Sequence, residues 1–135
     1  MTRETTQTAI AHWHDMLASR DMNILNELLA EDVVFRSPVA YQPYSSKPVV
    51  YFILSNVIQV FENFSYHREF YSADGNNVVL EFSAQVGDKK LKGIDMIQLN
   101  DAGKIIDFEV MIRPKSGLEA LALQMGQRMQ AFQAK

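Results

Sequence analysis

Cysteine is absent from the 135 residues, which excludes disulfides, thiol catalysis and thiolate metal sites. Basic charge is scarce too: 13 Lys and Arg stand against 16 Asp and Glu, for a formal net charge of -3. Such a balance exerts no general attraction on nucleic acid or an anionic membrane surface, so neither is expected as a partner. No stretch approaches the roughly 20 apolar residues that span a bilayer. The opening MTRETTQTAIAHWHD lacks the apolar run and small-residue cleavage site of a signal peptide. A soluble, cytoplasmic protein is the expectation. Histidine is sparse and dispersed at His12, His14 and His67. Two imidazoles at i and i+2 on a helix point in different directions, so no metal site is expected, and no cofactor is implied. Internal repeats and low-complexity blocks are missing as well.

What is present is ordinary globular composition, 47% apolar and 21% charged, enough for one hydrophobic core and hence one domain over 1–135. Residues 8–18 place Ile10, Trp13, His14 and Leu17 at helical offsets, predicting a helix with an indole and an imidazole near its apolar face. A second helix is expected over 21–30, capped by Asp21, with Met22, Leu25, Leu28 and Leu29 inward. Asp32–Phe35 turns strand-like and runs into Arg36-Ser37-Pro38, where proline disfavours helix. A proline-punctuated loop carrying Tyr41 and Tyr44 leads to a helix over 48–60 that includes Tyr51. Strands follow at 64–72 and, by clear alternation, at 78–86.

Leu91–Ile112 organises the chain. It reads as two strands joined by the turn Asn100-Asp101-Ala102-Gly103, with Asp95 embedded in the first. The two-residue period puts Asp95 on the side of Leu91, Gly93, Ile97 and Leu99. An acid on an apolar face must be hydrogen-bonded, paired or kept neutral by a raised pKa. In the second strand Ile106, Phe108, Val110 and Ile112 form one face. After Pro114 an amphipathic helix over about 117–133 carries Leu118, Leu121, Met125, Met129 and Phe132 on a stripe. It would cover a pocket mouth, the sheet or a second subunit.

The stretches HWHDMLASRDMNILNELLAEDVVFRSPVA and KGIDMIQLNDAGKIIDFEV, in their order of helical hairpin, Ser-Pro loop, helix and sheet, resemble the nuclear transport factor 2-like superfamily. Within it the likeness is to ketosteroid-isomerase-like and SnoaL-like members, over about residues 8–113. The resemblance implies an α+β fold: a curved antiparallel sheet with helices on its concave side, a conical apolar cavity, and a homodimer through the outer sheet face. In ketosteroid isomerases an aspartate before a proline is the base, and a helix-one tyrosine and a protonated strand aspartic acid hold the enolate oxygen. The matching positions here look like Ser37, Trp13 and Asp95. Serine is no simple base, which argues against ordinary ketosteroid isomerisation.

The expected site therefore combines Asp95 and His14 as the acid–base groups with Trp13, Ser37, Tyr41, Tyr51, Phe82, Phe108, Val110 and Ile112 as ligand contacts. Core packing would select many of the same residues. The leading expectation is a SnoaL-like protein that binds a small apolar molecule, with isomerase or other acid–base activity on a carbonyl compound. The alternative is a non-catalytic ligand-binding or homodimeric interaction domain.

Overall fold

The computed structural model describes residues 3–133, with side chains from 4 to 131. Met1, Thr2, Ala134 and Lys135, together with the Phe132 side chain assigned above to the last stripe, lie outside the described residues. The chain runs α1 (Arg3–Ser19), α2 (Met22–Leu28), β1 (Leu29–Arg36), β2 (Tyr44–Ser45), α3 (Lys47–Val60), β3 (Glu62–Tyr71), β4 (Asn77–Val86), β5 (Lys89–Leu99), β6 (Ile105–Arg113) and α4 (Lys115–Gln133). This is the expected α+β class with its C-terminal helix. Among the described residues no helix is long and apolar enough to cross a membrane.

The α1–α2 hairpin follows from local chemistry. Ala9, Ile10, Trp13 and Met16 are buried on one face of α1. The helix stops where Arg20 turns to φ 61, its N–H closing on the Met16 carbonyl at 2.8 Å. Asp21 then caps α2, accepting from the Asn23 N–H at 3.0 Å, a contact worth about 1 kcal/mol. The helix ends at Leu28, two residues short of expectation. Leu29 takes extended backbone and pairs at once with Ile105, so sheet pairing overrides helical propensity there.

The strands form one six-stranded sheet in the order β2-β1-β6-β5-β4-β3. β3 to β6 are an antiparallel meander, but β1 lies parallel to β6, with Phe35 opposite Phe108. The sheet is thus mixed, where antiparallel pairing alone was expected. β2 is a two-residue edge strand inside the stretch read as loop, paired with β1 at Val34 and Phe35.

The β5–β6 turn is built as its residues require. The Asn100 side chain accepts from the Ala102 and Lys104 N–H groups, both at 3.0 Å, and Gly103 adopts φ 77. Register then slips once: Gln98 opposes Asp107 while Leu99 opposes Ile105. Ile106 is the extra residue of this bulge. The inward set accordingly begins at Ile105, which is 1% exposed, and not at Ile106.

Two apolar clusters fill the interior. The larger joins α1, α2 and α3 to the sheet. The smaller holds Phe82, Val86, Leu91 and Leu121 under α4. α4 therefore packs on its own domain, against α3, β4, β5 and β6. Arg128 fastens it to α3, donating to Asn56 Oδ1 at 3.1 Å and Gln59 Oε1 at 2.9 Å.

Two glycines give opposite expectations. A Cβ on Gly93 would sit 2.5 Å from the Met111 carbonyl oxygen and 2.7 Å from Phe82 Cζ, whereas one on Gly126 meets nothing within 4 Å. Gly93→Ala should cost about 2–3 kcal/mol by overpacking, while Gly126→Ala should stabilise α4 by about 0.5–1 kcal/mol. Urea unfolding of the two variants checks both signs.

Candidate functional site

Val57, Tyr66 and Val110 each touch both apolar clusters, and all three line a cavity of about 320 Å³ between the helices and the sheet. The wall is almost wholly apolar, with Leu54 and Ile58 from α3, Phe108 from β6 and Leu121 from α4 among its members. Polar groups enter it chiefly through Asp95, Tyr66, His14, Arg20 and Ser65.

Asp95 lies inward on β5, flanked across the strands by Leu80 on one side and Val110 on the other. It is 6% exposed. Among the described residues its carboxyl receives one hydrogen bond, from the Tyr66 hydroxyl to Oδ2 at 2.5 Å. The Tyr66 oxygen in turn accepts from the Trp13 indole N–H at 2.8 Å. Burial among apolar side chains pushes the Asp95 carboxyl from 3.8 up to about 7, and the Tyr66 hydrogen bond only partly opposes it. Burial, and then the neighbouring Asp95, hold the Tyr66 phenol well above its ordinary value, so it stays a donor. A group poised near neutrality in an apolar chamber can donate a proton or hydrogen bond in its acid form and accept one in its base form.

His14 is half-buried at the cavity wall. Its ring meets Tyr66 edge-on at 5.2 Å, and its Nε2 lies 3.4 Å from Glu69 Oε1. Tyr71 donates to the other Glu69 oxygen at 2.7 Å.

Of the residues expected at the site, Asp95, His14, Trp13, Phe108 and Val110 share this cavity. The other five lie elsewhere. Ser37 Oγ accepts from the Val39 N–H at 3.1 Å in its own turn, and its neighbour Pro38 reaches the wall instead. Tyr41 is 99% exposed. Tyr51 packs against the larger core cluster. Phe82 is buried behind Phe64, whose ring stacks on it at 5.0 Å, and Ile112 joins the smaller cluster. The Trp13 indole donor is already used by Tyr66 and is not free for a ligand.

Tyr66 is not among the residues expected from sequence; the His67-Arg68-Glu69 run that follows it gives β3 a polar composition that masks its inward face. The signal was the spacing of Phe64 and Tyr66, two residues apart on a strand and hence on one face. Arg20 left no trace in the hydrophobic pattern. Among the described residues no cluster of three His, Asp or Glu side chains is placed to hold a metal ion.

Helices packed over a six-stranded sheet around an apolar chamber with one buried acid define the nuclear transport factor 2-like class of folds. A profile of the SnoaL-like domain matches residues 10–108, and the chain belongs to that family. It is similar to the crystal structure of a steroid delta-isomerase from Pseudomonas aeruginosa, with 53% identity, 97% of this chain and 96% of that one covered, and a TM-score of 0.93. An uncharacterised bacterial protein from Silicibacter pomeroyi has 37% identity over 90% of this chain and 85% of its own, with a TM-score of 0.84. A nuclear transport factor 2-like protein from Mesorhizobium loti shares the fold alone, at 17% identity, 82% and 93% coverage, and a TM-score of 0.72. No curated protein sequence matches the chain.

The Asp95 shift makes stability depend on pH with a defined sign. Unfolded, the carboxyl ionises near 3.8; folded, it keeps its proton to about 7. The stabilisation is complete below 3.8, falls as pH rises towards 7, and loses nothing further above it. The slope has an upper bound of about 1.4 kcal/mol per pH unit. On the outer face Glu81 works oppositely: the Arg68 fork and Lys92 hold its carboxyl at about 2, so its contribution is lost in acid. Asp95→Asn should flatten the profile between pH 4 and 7 while leaving the acid limb intact, as denaturant titrations across pH would record.

Proposed function

We propose that the protein binds a small apolar molecule bearing a carbonyl oxygen, and that Asp95 in its acid form holds that oxygen for isomerase-type acid–base chemistry. The observation that carries this reading is a carboxyl group, bonded to Tyr66 through Oδ2, on the wall of an otherwise apolar chamber of about 320 Å³. Such a chamber binds by burial, and its few polar groups set orientation. The likeness to the Pseudomonas aeruginosa steroid delta-isomerase supports carbonyl-directed chemistry. We place the protein in the cytoplasm.

In the proposed reaction His14 takes the proton from a carbon beside the carbonyl, and the C–H electrons move to form the enolate. Asp95 donates a hydrogen bond to the developing oxyanion. The proton then returns from His14 to a different carbon of the conjugated system, which shifts the double bond. Glu69 orients the ring by accepting from Nε2, which leaves Nδ1 as the base. A second reading, binding without turnover, is favoured by one fact: Ser37 stands where ketosteroid isomerases carry their base, and it lies off the cavity wall, its oxygen accepting from the Val39 N–H in its own turn.

Native mass spectrometry with a panel of hydrophobic ketones should retain a one-to-one complex. Ketone affinity of the wild type should fall about fivefold as pH is raised through 7, while Asp95→Asn, whose amide always donates, shows no such fall. Solvent deuterium incorporation beside the carbonyl separates turnover from binding, and His14→Gln should abolish it. Failure to retain any ketone, or an identical pH profile in Asp95→Asn, rules the reading out.

We further propose a homodimer through the outer sheet face. Phe70, Val79 and Met96 lie in one row across β3, β4 and β5, and Phe70, Met96 and Met111 are 54%, 39% and 48% exposed. Sedimentation velocity should give twice the 15.4 kDa chain mass, and Met111→Lys should shift the protein towards monomer.

A further inference from the structure

We infer that Arg20 is an anion-binding end of the cavity, so that the ligand carries a carboxylate as well as its apolar body and carbonyl oxygen. The inference rests on the ligand-site reading above and narrows the class of molecule it admits.

Arg20 lines the cavity yet is solvent-exposed, which places it at the rim where a charged ligand group would remain partly hydrated. Its NH1 donates to the Ile58 carbonyl at 2.9 Å. That uses one of the five N–H donors of a guanidinium. Among the described residues no carboxylate lies in ion-pair reach of it. The contrast with the rest of the wall is sharp. His14 has Glu69, Tyr66 has Trp13 and Asp95, and Asp95 has Tyr66. Arg36 and Arg68 elsewhere are forked onto Asp107 and Glu81. Arg20 is the arginine of the cavity wall, and there its fork has no anion among the described residues.

The backbone adds a second observation. Arg20 holds φ 61 at the close of α1, a left-handed position that glycine occupies without steric cost. A long cationic side chain at such a place aims from a fixed point of the fold, tied down by the Met16 carbonyl behind it and the Ile58 carbonyl beside it. The protein as a whole is acidic, at -3, so its overall field does not draw in anions; a local guanidinium is what would hold one. Its planar fork suits a carboxylate, which it can bind through two parallel N–H···O bonds. The complementary ligand is an apolar oxo acid whose ketone meets Asp95 and whose carboxylate meets Arg20.

The alternative is that Arg20 only closes the last turn of α3 through the Ile58 carbonyl. Calorimetric titration with benzoylpropionate and its methyl ester distinguishes the two, because the ester keeps the ketone and ring but loses the charge. Wild-type protein should bind the acid about tenfold tighter than the ester, with the preference shrinking at high salt. Arg20→Gln keeps an amide donor for Ile58 and should remove the preference while leaving ester binding within about twofold. Arg20→Lys should retain a reduced preference, since it keeps the charge without the fork. Equal binding of acid and ester by the wild type, or an acid preference surviving in Arg20→Gln, overturns the inference. If neither probe binds, this inference falls, while the ligand-site reading stands or falls with the ketone panel.

Discussion

Tyr66 stands between two polar groups that apolar walls would otherwise leave unpaired. It accepts from the Trp13 indole and donates to the Asp95 carboxyl, so one phenol satisfies both. An unpaired buried donor or acceptor costs about 1–3 kcal/mol, and that penalty fixes where three elements must meet. α1 must bring Trp13, β3 must bring Tyr66 and β5 must bring Asp95 to one place. The chamber is what remains around that meeting point once Phe108, Leu54 and Val57 have been laid against it. Its polarity is therefore localised: one carboxyl edge faces open space while its other oxygen is held.

The same arrangement explains which parts of the site could be read from the chain. Asp95 announced itself because a charged residue broke a run of inward apolar positions, and the hairpin around it was set by alternation and by Asn100 and Gly103. Trp13, His14, Phe108 and Val110 followed from helical or strand phase. Phe82 has the same phase as the wall residues, but Phe64 and Phe61 come between it and the chamber. Phase states which side a residue faces and not how many layers lie in front of it. Ile106 lost its expected side to a single extra residue at the bulge. The parallel docking of β1 on β6 involves residues about seventy positions apart, which local pattern does not encode.

α4 shows a different division. Its stripe predicted burial correctly in kind, but an amphipathic helix says only that something apolar covers it. This chain supplies two of the three coverings open at the start: Leu121 lines the cavity and packs into the smaller cluster against the sheet, while Arg128 reaches Asn56 and Gln59. The family profile ends at residue 108, so this helix contributes wall to the cavity from beyond the matched core. Variation in α4 can thus reshape the chamber without touching the Trp13–Tyr66–Asp95 chain.

The parallel pairing of β1 with β6 also bears on how the chain reaches its fold. β1 has its main partner in the last of the six strands along the chain, and the Arg36–Asp107 ion pair beside it closes a loop of 71 positions. The β3–β6 meander can zip locally from its turns, at small entropic cost. β1, and with it the α1–α2 hairpin that supplies Trp13, must wait for a long-range closure. The cavity, with Trp13, His14 and Leu17 of α1 in its wall, therefore depends on a closure that spans more than half of the chain.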